Sequence, residues 1–379
     1  MNHAPSRLAS TMKSLLRMTI MVAVAIGPSL LGSSSPAAEA RSYPRVEDID
    51  RLANAALVRK PLAGVSVAVM RNGKLIHAAG YGYADVEQAV PATPLTVYRI
   101  ASVTKQFTAA LVLRLAERGQ IDLDADIRKY LPDFDTGGRA VTVTQLLNHT
   151  SGIADLTRIP AAMAQRCLDI SVREVFAYIS KEPFDFEPGE SFRYNNSGFW
   201  LLGVIIERVT GKPYSQSIRE LLLEPLGLDR TRYDEPARIV AGRARGYAVV
   251  GKELQNSECN SPTRPYASGA LLSTVTDLLD WQHALFSGKV VDAALLQRMI
   301  TRGTLDSGAP VPYGFGLALS EFGGARRIAH AGGIVGFSAF LSHYPEHALT
   351  IAVISNTMGV ELRTELEEPI AASLLTPAR

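Results

Sequence analysis

The sequence predicts a two-lobed α/β protein of the α+β type, with one antiparallel sheet flanked by helices and an all-α lobe inserted into it. Three observations point there. Strand-like runs cluster at both ends of the chain, near residues 64–82 and 313–355. The stretch between, from about 101 to 300, carries mostly helical spacing of its apolar residues. An apolar, helix-like segment closes the chain at about 360–375. The simplest architecture pairs strands from both ends in one sheet, with the sheet lobe at about 41–100 and 301–379 and the helical lobe at about 101–300. A functional site is then expected between the lobes.

The elements follow in order. Gly64 to Met70 reads as a strand, Arg71-Asn72-Gly73 as a tight turn and Lys74 to Gly82 as the returning strand, because Asn-Gly between such runs favours a hairpin. Val103, Phe107, Ala110, Leu111 and Leu115 fall on one helical face, Gly119 supplies a C-terminal stop, and Ser102 is cap or first residue. Gly198 to Val209 is a nearly all-apolar helix ended by Thr210-Gly211-Lys212-Pro213. Strands are expected at Tyr313–Leu319, Arg326–His330, Gly336–Tyr344 and Leu349–Ser355, and a helix at about Val360–Leu375.

Residues 1–40 are set apart from this fold. Lys13 and Arg17 precede an apolar run from Met18 to Leu31, followed by a Ser/Pro/Ala stretch ending Ala38-Glu39-Ala40. That is the layout of a secretory signal peptide cleaved before Arg41, and it places the mature protein in the periplasm or outside the cell. The apolar run holds fourteen residues and is broken by Pro28, which is short for a membrane anchor. Stable membrane insertion after cleavage is not expected. Cleavage would remove Arg7, Lys13, Arg17 and Glu39, leaving a net charge near zero and no basic block, which disfavours nucleic acid as a partner. Cys167 and Cys259 lie 92 positions apart with no metal-type spacing; whether they form a disulfide is left open.

Three short motifs carry the chemistry: Ser102-Val103-Thr104-Lys105, Tyr194-Asn195-Asn196 and His330-Ala331-Gly332. Three residues apart on a helix, Ser102 and Lys105 share a face. A lysine partly desolvated at a helix start has its pKa lowered and, as free amine, takes the serine proton. Tyr194 supplies a phenolate or a proton relay to the leaving group, and Asn196 a carboxamide for a substrate amide and the lysine. Glycines at a strand end let a substrate backbone approach, and the Gly333 and Ser102 amides are candidates for an oxyanion hole. Together these are the parts of a serine acyl-transfer site with no histidine base.

With the flanking Tyr98-Arg99-Ile100-Ala101 and Leu146-Leu147-Asn148-His149-Thr150-Ser151-Gly152-Ile153, the ordered set resembles the beta-lactamase-related serine hydrolases. That group includes class C beta-lactamases, low-molecular-weight D-alanyl-D-alanine carboxypeptidases and family VIII esterases. The resemblance runs from about Leu62 to Ser373. It implies a beta-lactamase/transpeptidase-like fold, Ser102 as nucleophile, Lys105 and Tyr194 as acid–base pair, and Asn196, His330, Gly332 and Gly333 as substrate contacts. The Gly333 amide would form part of the oxyanion hole.

The third motif departs from the Lys-Thr-Gly of class C enzymes: His330 resembles the carboxypeptidase-like variant, and Ala331 lacks a threonine hydroxyl. Fewer donors for a substrate carboxylate favour an ester or amide substrate, with a class C-type beta-lactamase as alternative. An inactive peptidoglycan- or peptide-binding module is the second alternative, opposed by the survival of all four reactive groups. His149 lies on a loop and no Gly-x-Ser-x-Gly elbow exists, so a Ser-His-Asp triad is not expected. Asp122, Asp124, Asp126 and Asp133 mimic a calcium loop, but Ile127 stands where glycine is needed. With no metal or dinucleotide motif, no cofactor is implied.

Overall fold

The computed structural model describes residues 46–375, so the signal-peptide segment 1–40 lies outside the described residues. Twelve strands fall in this range. β1 (Gly64–Arg71), β2 (Lys74–Asp85) and β3 (Val90–Pro91) come first. β4 (Tyr98–Arg99), β5 (Arg232–Tyr233), β6 (Tyr247–Val250), β7 (Glu253–Asn256) and β8 (Leu271–Ser273) are short. β9 (Ala318–Phe322), β10 (Ala325–Ile334), β11 (Phe337–Tyr344) and β12 (Leu349–Ser355) complete the set. The main sheet has the order β3-β2-β1-β12-β11-β10-β9. Its centre is the antiparallel pairing of β1 with β12, from Val65 opposite Ser355 to Arg71 opposite Leu349. Both ends of the chain therefore build one sheet.

Alternation along β1 and β12 splits the core in two. Val65, Val67, Val69, Ile351 and Val353 face the helices Val46–Arg59 and Glu368–Leu375. Ala68, Met70, Ala352 and Ile354 face the other way, into the larger core shared with the helical region. At the centre of that core lies the helix Thr104–Glu117, in which Thr104 to Leu113 and Leu115 are all buried. It is sheathed on one side by the apolar helix Asn196–Thr210 and on another by Val275–Phe286, whose Trp281 stacks on Phe107.

Several expectations need correction. The strand expected at Tyr313–Leu319 is instead β9, Ala318–Phe322. Gly316 has φ +71° and a Cβ on Gly314 would lie 2.2 Å from the Met299 carbonyl, so the chain turns there. β10 continues past His330 to Ile334, so the third motif lies inside a strand and not at its end. Ser102 belongs to a 3-10 turn, Ala101–Val103, ahead of the α-helix. The C-terminal helix begins only at Glu368, after a wider turn at Arg363–Glu367. The middle region also holds β5 to β8 among its helices. No described helix is long and apolar enough to cross a membrane.

Candidate active site

The 3-10 turn that carries Ser102 is fixed by three hydrogen bonds, two of them to Leu271. Ile100 N–H donates to the Leu271 carbonyl at 3.0 Å, and Val103 N–H donates to the Ile100 carbonyl at 3.1 Å. The Thr104 hydroxyl accepts from Leu271 N–H at 3.2 Å. Ala101 adopts φ +47°, a left-handed conformation costly for a residue with a Cβ. Strain at the residue before Ser102 is held in place by these contacts.

Lys105 follows one turn later and is wholly buried. Its ammonium group donates to Ser102 Oγ at 3.1 Å, to Asn196 Oδ1 at 2.8 Å and to the Ser268 carbonyl at 2.9 Å. The rings of Tyr194 and Phe199 lie 4.9 Å and 5.5 Å from Nζ. Burial lowers the lysine pKa to about 7, with the charge of Asp155 opposing the fall. A neutral amine in this setting has two hydrogens for two acceptors that cannot donate, Asn196 Oδ1 and Ser268 O. Its lone pair is left for the Ser102 hydroxyl.

The second motif is stitched to the loop Leu146–Ile153. Asn195 caps the helix Asn196–Thr210 by accepting from Gly198 N–H at 2.8 Å, and its own amide donates to the Ile153 carbonyl. His149, at φ +64°, accepts from Asn195 N–H through Nδ1 at 3.2 Å. Burial first, then Lys105 and His330, hold the His149 pKa well below its usual value. His149 is thus a neutral brace, with its ring against Tyr194 and Tyr313. The Tyr194 hydroxyl is buried beside Ser102 without a well-formed hydrogen bond. Burial raises its pKa, opposed by the Ser102 hydroxyl and reinforced by Asp155. Burial therefore favours the phenol form of Tyr194 at rest.

On the third motif, His330 Nδ1 lies 2.6 Å from the Ala331 carbonyl and Nε2 lies 2.6 Å from Tyr313 Oη. A carbonyl only accepts, so Nδ1 carries the proton and Nε2 accepts from the tyrosine. Burial, then Lys105, push the His330 pKa down to about 3. With both nitrogens engaged and no charge, His330 offers a carboxylate nothing that lysine would. Gly332 lies against the nucleophile turn: a Cβ there would meet the Ile100 carbonyl at 2.3 Å. Pairing of β10 with β9 ends at Ala329 opposite Ala318, so the strand edge from His330 onward lacks a β9 partner. Gly333 is exposed there, and a Cβ on it would meet nothing within 4 Å. Ser102, Tyr194, Gly332 and Gly333 share the wall of a cavity of about 640 Å³ with Phe192 and Phe340.

Sequence reasoning missed the Ser268 carbonyl, Asp155 and Tyr313. No side-chain pattern announces a backbone carbonyl; Asp155 lies only two residues past the flagged loop. Ser268 is delivered by a segment braced both covalently and by hydrogen bonds. A disulfide joins Cys167 to Cys259. Arg264 donates to the carbonyls of Leu168, Ala162 and Gln165, each at 2.8 Å.

A buried lysine between a turn-borne serine and an asparagine, beside a buried tyrosine and an open strand edge, stands on an α+β scaffold. The Beta-lactamase family pattern matches residues 49–375, and the chain belongs to that family, the beta-lactamase-related serine hydrolases. It is similar to "Protein flp" of Staphylococcus aureus (strain N315), with 29% identity over 317 residues, 82% of this chain and 63% of that protein. The "D-aminopeptidase" of Gluconobacter oxydans (strain 621H) is 27% identical over 84% of this chain and 60% of its own length. The chain thus spans somewhat less than two thirds of the curated relatives it matches. Among solved structures, the D-amino acid amidase of Ochrobactrum anthropi SV3, complexed with L-phenylalanine amide, superposes with a TM-score of 0.77. Its sequence is 26% identical, over 87% of this chain and 98% of that one.

Proposed function

We propose that this chain is an exported serine hydrolase that cleaves ester or small amide bonds through an acyl-enzyme on Ser102. The observation that carries the reading is the buried Lys105 amine, held by Asn196 Oδ1 and the Ser268 carbonyl with Ser102 Oγ at 3.1 Å, where burial brings its pKa down to about 7. Neutral Lys105 takes the Ser102 proton as Oγ bonds to the substrate's carbonyl carbon. The Tyr194 phenol gives its proton to the leaving alkoxide or amine, and the resulting phenolate takes a proton back from the protonated Lys105. Water then repeats the attack, and the proton returns to Ser102. The Ser102 and Gly333 amides hold the oxyanion.

Neutral His330 and the missing hydroxyl at Ala331 favour donors without a carboxylate beside the scissile bond. One lost charge-assisted hydrogen bond is worth about 1.5–3 kcal/mol, roughly ten- to a hundred-fold in kcat/KM. Relatives named for D-aminopeptidase and D-amino acid amidase activity support the amide arm of this reading. Export draws support from the Cys167–Cys259 disulfide, which persists in oxidising compartments. A class C-type beta-lactamase is the alternative; an inactive binding module has the intact site against it.

Intact-mass spectrometry after a fluorophosphonate should show one adduct, absent in Ser102→Ala. A panel of p-nitrophenyl esters, D-amino acid amides, a D-Ala-D-Ala peptide and nitrocefin should rank esters and small amides above nitrocefin, and Ala331→Thr should narrow that gap. Labelling that survives Ser102→Ala overturns the nucleophile. Nitrocefin turned over far faster than every ester and amide makes the chain a beta-lactamase.

A further inference from the structure

We propose that Asp155 is a positioning residue for the Lys105 base: its carboxylate orients Asn196 and supplies the buried negative charge that protonation of the amine requires. The proposal rests on the Ser102–Lys105 reading above and extends it by one member, in the order Ser102, Lys105, Asn196, Asp155.

Asp155 is 4% exposed and lies on the loop that follows Ile153. Its Oδ2 accepts from Asn196 Nδ2 at 3.2 Å. Its Oδ1 accepts from Thr157 N–H at 3.0 Å and Thr157 Oγ1–H at 2.9 Å. A carboxylate has only acceptors, so it fixes the amide of Asn196 with nitrogen towards Asp155 and oxygen towards Lys105. Reversal of that amide would put an N–H donor against the lysine and compete with Ser102 for its lone pair. The loop is itself held to the second motif. Leu156 N–H donates to Ser197 Oγ at 2.7 Å, and Ser197 Oγ–H donates to the Ala154 carbonyl at 2.7 Å.

The electrostatics run the same way. The ionisable groups that face Lys105 are Asp155 and Tyr194, with His149 from the loop and His330 from β10. Both histidines are held neutral and Tyr194 rests as phenol. Asp155 raises the pKa of Lys105 against burial and also raises that of Tyr194. One carboxylate thus favours the proton on both groups that must carry it during transfer.

The competing account is that Asp155 merely caps the turn Leu156–Arg158. Asp155→Asn and Asp155→Ser separate the two, because asparagine and serine cap as well as aspartate does. Both variants should melt like the wild type, as followed by circular dichroism. The rate of Ser102 acylation by a fluorophosphonate is then measured against pH. We expect its acid limb to move down by roughly one pH unit, since a carboxylate that held the lysine's proton is gone. The plateau should fall roughly ten- to a hundred-fold. Folded variants with acid limb unmoved and plateau within about twofold of wild type overturn the proposal. Failure of both variants to fold assigns Asp155 to the cap and overturns it too. A wild type that is not labelled at Ser102 defeats the underlying reading instead, and is told apart by that first measurement.

Discussion

Gly332→Ala tests how tightly the strand edge sets the nucleophile. A Cβ at Gly332 would lie 2.3 Å from the Ile100 carbonyl oxygen, 3.2 Å from Ala339 Cβ and 3.3 Å from Ala101 Cβ. None of these atoms can swing away on a side-chain torsion. Real contacts of this kind begin near 3.0 Å, so strand and turn must part by at least roughly 0.7 Å. The Ile100 carbonyl also accepts from Val103 N–H, which closes the turn around Ser102, so the displacement passes straight to the nucleophile. Overpacking of this size costs about 1–3 kcal/mol of stability. A misplacement approaching 1 Å costs on the order of 10²-fold in rate. Stopped-flow acylation by a fluorophosphonate and a thermal melt read the two effects separately. Gly333→Ala is the steric control, since its Cβ meets nothing within 4 Å and its melt should not move. Gly332→Ala with a wild-type acylation rate would refute the argument that this close approach positions Ser102.

Four further outcomes are expected. Because Lys105 acts as the neutral amine and its pKa is about 7, kcat/KM for a neutral ester should rise with pH through about 7 and fall away below it. No basic limb from Tyr194 should enter below about pH 10; Lys105→Ala and Tyr194→Phe should each lose about 10²-fold or more in turnover. Reducing Cys167–Cys259, or Cys167→Ser with Cys259→Ser, should cost about 2–4 kcal/mol in a denaturant titration. Acylation should persist, because Arg264 still braces the segment that carries Ser268. N-terminal sequencing of exported protein should begin at Arg41 within a few residues, and recovery of an uncleaved membrane-bound chain would favour an anchor.

What could be read in the sequence was whatever repeats with a short period or depends on a side chain. The hairpin at Arg71-Asn72-Gly73 was legible because Asn72 and Gly73 take φ of +52° and +71°, values their residue types favour. Ser102, Lys105, Tyr194 and Asn196 were legible as a set because their chemistry depends on residue type, and the structure brings them together. The helix Val46–Arg59 was not placed in advance although Ile49, Ala53 and Ala56 recur at helical spacing, because what that face packs on is decided by β1 and β12. Nor was the end of the strand near Tyr313, where the position of Gly314 is decided by a carbonyl on another element. His330 is the sharpest case. Its place in the motif suggests a substrate contact, and it lines the cavity beside Ser102, but its neutral state depends on burial and on Tyr313, seventeen residues away.

The pairing of β1 with β12 has a consequence for how this molecule comes into being. Val65 finds its partner at Ser355, so the central seam of the sheet cannot close until the chain has been made through Ser355. Contacts of such sequence separation form slowly, since a long loop must be closed before any pairing compensates its entropy. During synthesis the hairpin β1–β2 waits with an unpaired edge, and the nucleophile turn waits for the strand that packs against Gly332. Neither the central seam of the sheet nor the packing against the turn of Ser102 is complete before these late strands are made.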